Sequence, residues 1–171
     1  MKKFFAIVGA FIILIIPHQC FASNYSISIG YGAQLYESGE HLIILKGGYE
    51  IKLIKDRKTG FIFLLEPSLI EFNERQIGIA AGTVFENQFM LSDKITLFVS
   101  WGAGVLVTNK ELTGEGNIFN FMPQGGLGAS YIIGGKKSIL GELRYWHASN
   151  SGIANPNRGI DDLVVFLGTK F

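Results

Sequence analysis

His147 and Ser149 stand two residues apart near the end of the chain, and Asp161 opens the apolar alternating run that follows. A base, a hydroxyl and a carboxylate are the inventory of a serine hydrolase. The imidazole takes the hydroxyl proton as the oxygen attacks a carbonyl, and the acid holds the imidazole tautomer and stabilises its cation. On a β-strand, residues two apart leave the same face, and an antiparallel return brings Asp161 alongside them. Between the two runs lies the turn-rich connection Asn150-Ser-Gly152-Ile-Ala-Asn-Pro156-Asn157-Arg-Gly159. In it, Asn150 and the backbone amides near Gly152 are candidate donors to an oxyanion.

Strands must position these groups, and the rest of the chain reads as strands. Beyond the N-terminus no apolar run is long enough for a membrane-spanning helix, yet 48% of residues are hydrophobic and 22 are glycine. Eight runs stand out: Tyr25 to Tyr36, His41 to Leu53, Thr59 to Phe72, Gln76 to Phe85, Lys94 to Val107, Ile118 to Ile133, Ser138 to Ser149 and Asp161 to Phe171. Polar or glycine-rich turns such as Gly134-Gly-Lys-Lys137 separate them. Within the runs, one set of alternate residues is apolar (Ile27, Ile29, Tyr31; Ile95, Leu97, Val99, Trp101) and the other holds glycine and charge (Gly30, Lys46, Glu50, Gly102). That pattern predicts an all-β fold, an eight-stranded antiparallel transmembrane β-barrel with lipid outside and a narrow polar or tightly packed interior. A periplasmic sandwich or lipocalin-like barrel is the alternative; it would bury its apolar face. The terminal Phe171 suits an outer-membrane barrel.

The N-terminus agrees with export. Met1-Lys2-Lys3 is a basic start, Phe4 to Pro17 is almost wholly apolar, and Cys20-Phe21-Ala22 offers a cleavage site, so residues 1–22 are expected to be a removed secretory signal and residues 23–171 one barrel domain. Pro17-His18-Gln19 before the cysteine lacks the small-residue pattern of a lipoprotein signal. Cleavage would remove the single cysteine and two lysines, leaving 13 Lys+Arg against 14 Asp+Glu. A near-neutral chain without a basic stripe gives no support for nucleic-acid binding, and one without thiols has no disulfides, thiolate metal sites or cysteine nucleophile.

Topology places the candidate site. With both ends of an even-stranded barrel in the periplasm, connections after odd-numbered strands face the exterior, so the loop from Asn150 to Ile160 is expected there. By parity His147, Ser149 and Asp161 point outward, whereas Lys46, Glu50, Lys52, Glu66, Glu142 and Arg144 point inward and are expected to form a charge-compensated network. His41 reads as an ordinary loop histidine, and the glycines of Gly125-Gly-Leu-Gly128 as close packing rather than a phosphate loop. Parity also favours Asp161 over its neighbour Asp162 as partner to the histidine.

The run His147-x-Ser149-Asn150-x-Gly152, followed by Pro156-Asn157-x-Gly159-Ile160 and an acid, resembles the C-terminal signature of the PagL family of lipid A 3-O-deacylases. The specific resemblance covers about the last 30 residues; elsewhere it is one of pattern and length. It implies an eight-stranded outer-membrane barrel that releases the 3-O-linked 3-hydroxyacyl chain from lipid A. His147 would be the base and Ser149 the nucleophile. The third member is usually glutamate, and here Asp161 occupies that position. The resemblance also implies no metal or organic cofactor, and a substrate, lipopolysaccharide, reached from the outer leaflet. A homodimer is compatible with such a chain. Two rival readings have different consequences: a non-enzymatic barrel serving adhesion or host interaction predicts no lipid change, and a palmitoyl transferase or phospholipase predicts a mass gain or phospholipid loss.

Overall fold

The structure, a computed structural model, describes residues 24–35, 41–55, 58–73, 76–112 and 116–171. The expected leader (1–22) and the end of the first expected strand at Tyr36 lie outside these residues. Eight strands follow one another around a closed antiparallel barrel: β1 (Asn24–Gln34), β2 (His41–Lys55), β3 (Thr59–Phe72), β4 (Gln76–Met90), β5 (Ile95–Thr108), β6 (Phe119–Gly134), β7 (Lys137–Ala148) and β8 (Ile160–Lys170). β8 pairs back onto β1 from Ser26↔Lys170 to Gln34↔Asp162. Closure leaves no edge strand, which hydrocarbon surroundings demand because they offer no water to unpaired backbone groups.

The alternation read from the sequence is the alternation of faces. Ile29, Ile79, Leu127 and Leu167 point away from the barrel and are more than half exposed, an apolar band facing lipid. β4 runs five residues past its expected end at Phe85. Glu86-Asn-Gln looks like a turn in isolation, but Glu86 is buried inside the barrel and bonds to Lys170 at 3.3 Å, so the polar stretch is interior wall.

Inside, the barrel divides into two halves. Near the connection between β7 and β8 the filling is apolar: Leu42, Ile44, Ile70, Leu106, Met122, Trp146, Val164 and Phe166 form one buried cluster. Toward the termini the filling is ionic. Lys46 meets Glu66 at 3.1 Å and Glu142 at 2.9 Å, and Arg144 binds both acids, to Glu142 at 2.7 Å. A second group joins Lys170 to Glu50 at 3.4 Å and to Glu86, with Lys52 beside Glu50 at 3.9 Å. The expected network is therefore real, but it occupies part of an interior whose other end is mainly apolar, with Asp162 and Asn120 buried among the hydrocarbon. The void beside Lys46, Glu66, Glu142 and Arg144 is about 10 Å³, no more than one water requires. Glycine makes the packing fit: a Cβ on Gly128 would lie 2.3 Å from the Phe98 ring.

Candidate active site

The candidate residues collect on the outside of the barrel, at the end opposite the termini. Tyr25 pairs with Phe171 at one end (N to O, 3.0 Å), and the loop between β7 and β8 caps the other. His147 lies directly opposite Asp161 in the β7–β8 ladder, so their Cβ atoms are nearest neighbours on one face. Nδ1 of His147 is 2.9 Å from Oδ1 of Asp161. The Tyr145 hydroxyl donates to the same Oδ1. A carboxylate at Nδ1 leaves Nε2 as the nitrogen able to accept a proton, the tautomer that a general base needs.

Asp162 goes the other way. It is 1% exposed inside the barrel, paired in register with Gln34 and Trp146. The acid that reaches the imidazole is thus Asp161, as parity indicated.

Ser149 extends the outward face of β7 by one step. Its N–H donates to Phe121 O at 3.0 Å, and its carbonyl accepts from Phe121 N at 2.7 Å. The β6–β7 ladder runs to Gln124↔Trp146, passes over Pro123 and Met122, and resumes in the same register at the single bridge Phe121↔Ser149, so the serine keeps the side of His147. Among the described residues no His147–Ser149 hydrogen bond is formed; both side chains are half-buried on one face, and such bonds commonly tighten only with substrate bound.

The loop beyond Ser149 is built around Asn150, which is fully buried. Its Nδ2 donates to Ala154 O and Pro156 O, each at 3.2 Å. Its Oδ1 accepts from Gly152 N at 2.9 Å and Ala154 N at 3.4 Å, and its own N–H donates to Asn157 Oδ1 at 3.2 Å. The Asn150 carboxamide and the Gly152 amide, the two groups expected to serve an oxyanion, are here bonded within the loop. Gly159 then closes it against the histidine. At φ +76° it occupies the left-handed region that favours glycine, and a Cβ there would fall 2.3 Å from His147 Cε1. Beyond the x-Gly159-Ile160 spacing, nothing in the sequence marks this contact.

His41, read as a loop histidine, stacks on Tyr31 with centroids 5.5 Å apart. Among the described residues no group of three or more His, Cys, Asp or Glu side chains is placed to hold a metal ion.

Comparison with known proteins supplies the last observation. A family model described as lipid A 3-O-deacylase (PagL) matches residues 47–170. The fold is similar to the crystal structure of the outer membrane enzyme PagL, at 19% identity and a TM-score of 0.67, with 85% of this chain and 97% of that one covered. It is also similar to Neisserial surface protein A, at 11% identity and a TM-score of 0.58, with 86% and 94% covered. No curated protein matches the sequence.

Proposed function

The chain belongs to the PagL family of lipid A 3-O-deacylases, carboxylic ester hydrolases of the outer membrane, and from that premise we propose that His147, Ser149 and Asp161 carry the hydrolysis at the outer-leaflet rim of the barrel. The observation that supports this most is the 2.9 Å contact between His147 Nδ1 and Asp161 Oδ1, on the face that Ser149 shares. Each step follows from what these groups can do. Nε2 takes the Ser149 proton as Oγ attacks the ester carbonyl; the C–O bond to the sugar breaks, and the imidazolium returns the proton to the leaving 3-hydroxyl. Water then attacks the acyl-serine by the same route, releasing the 3-hydroxy fatty acid. Asp161 holds the ring and stabilises its cation throughout.

An oxyanion needs donors preorganised beside Ser149. On this reading Gly152 is the donor within reach of a substrate, since it is exposed and an entering carbonyl oxygen can displace Asn150 Oδ1 from its N–H. Asn150 contributes by holding the loop in place. Phe119 and Phe121, an edge-to-face pair 5.3 Å apart beside the serine, offer apolar surface to the acyl chain.

The test is the mass spectrum of lipid A from cells expressing the native protein, His147→Ala or Ser149→Ala at equal membrane levels. The native protein should remove one 3-hydroxyacyl group, and each variant should lower the rate about 10³-fold or more. Identical spectra from all three folded proteins, on lipid A that carries the 3-O ester, would favour a non-enzymatic barrel instead.

A further inference from the structure

Tyr145 is the outward neighbour of His147 on β7, and its hydroxyl donates to Asp161 Oδ1, the oxygen that also meets His147 Nδ1 at 2.9 Å. From that geometry we propose that Tyr145 is a positioning residue of the hydrolase, acting through Asp161; the proposal rests on the function argued above. In the ladder Tyr145 lies opposite Leu163, and Asp161 lies opposite His147. The tyrosine therefore reaches diagonally across the strand pair, a distance that long side chains span and short ones do not.

An aspartate on the outside of a barrel needs such a brace. Asp161 retains 19% of its side-chain exposure, so water competes for its oxygens, and a rotation about either side-chain torsion would turn Oδ1 from the imidazole. Two donors converging on one oxygen fix both torsions at once. A Cβ on Gly159 would overlap the ring at Cε1, so the loop leaves that side of the imidazole little room to turn. The phenol thus stands first in a sequence of contacts, Tyr145 to Asp161 to His147, that fixes the imidazole whose Nε2 is the proposed base.

The competing role for an outward tyrosine near a barrel rim is depth anchoring, its ring in lipid and its hydroxyl among headgroups. Anchoring is indifferent to whether Asp161 is present, and that difference can be measured. Tyr145→Phe removes only the hydroxyl. It is expected to lower kcat on micellar lipid A about tenfold with KM unchanged, the worth of one hydrogen bond in the transition state, while Tyr131→Phe, at an outward tyrosine of β6, keeps native kcat. In an Asp161→Ala background the same Tyr145→Phe change should alter kcat less than about twofold, because a residue that acts through another loses its effect when that other is gone. Native kcat in Tyr145→Phe, or an equal loss in both backgrounds, overturns the proposal.

A second readout does not depend on turnover. In ¹⁵N-histidine-labelled protein in micelles, the Nδ1–H resonance of His147 should shift or broaden in Tyr145→Phe; an unchanged resonance overturns the proposal, and it decides where Asp161→Ala leaves no measurable rate. A native protein that releases no acyl chain counts against the deacylase reading alone, and the resonance still reports on Tyr145.

Discussion

Gly159 is where backbone conformation and chemistry meet most closely. Any side chain there must adopt φ +76° and also displace the His147 ring, because its Cβ would lie 2.3 Å from Cε1. Gly159→Ala is therefore expected to cost activity rather than folding. A misplacement of about 1 Å at a catalytic group typically lowers the rate about 10²-fold, to be read from steady-state hydrolysis, while the heat-modified mobility of the folded barrel in gels stays native. At this scale the sequence told part of the story. Period-two parity put His147 and Ser149 on one face and pointed to Asp161 over Asp162, because both conclusions require only a constant strand register, which β7–β8 keeps to Ala148↔Ile160 and β6–β7 resumes at Ser149. The Tyr145 hydroxyl and the Gly159 contact were out of reach, since one depends on a side-chain rotamer spanning two strands and the other on a loop dihedral that no alternation encodes.

The loop from Asn150 to Gly159 behaves as an element in its own right, organised by one side chain instead of by a backbone ladder. Asn150 makes five hydrogen bonds to Gly152, Ala154, Pro156 and Asn157, four of them through its carboxamide. Asn150→Ala removes those four, which hold Gly152, Ala154 and Pro156 in place, and each hydrogen bond lost costs about 0.5 to 1.5 kcal/mol. The expected outcome is a barrel that still folds, with a loop cut by protease between residues 150 and 159 that resists in the native protein, and hydrolysis reduced at least tenfold. Limited proteolysis followed by a rate measurement checks both halves. Asn-Ser-Gly read as a turn from composition alone, but its closure around a buried asparagine did not, because the partners are carbonyls up to six residues away. The strands were more legible. Of the seven expected runs whose ends are both described, six match the observed elements within two residues, and β4 runs on because Glu86, a turn residue in isolation, finds Lys170 across the barrel.

Viewed as a whole, the molecule is a wall wrapped around a largely filled interior, with the ion pairs toward the termini and the larger apolar cluster beneath the candidate site. The ionic half balances charge internally, Lys46 and Arg144 against Glu66 and Glu142. Arg144→Ala leaves two buried carboxylates with a single lysine, and breaking a buried pair in this way costs about 3 to 5 kcal/mol. Urea unfolding in lipid vesicles should show that loss, and hydrolysis by the molecules that remain folded should stay near native, because Arg144 points into the barrel while the reacting groups point out. The sequence disclosed which residues turn inward but not that they segregate into two halves, since segregation is set by height along eight strands and their relative stagger, which no single strand records. The outward direction of His147, Ser149 and Asp161 has a further consequence. On the proposed reading no lipid has to be lifted from its leaflet or threaded through a lumen; the ester meets the hydroxyl sideways, in the plane where it already diffuses. Encounter is then a two-dimensional event, governed by the mole fraction of substrate in the surrounding film rather than by its bulk concentration, and dilution with inert amphiphile slows it even when the total amount of every component is unchanged.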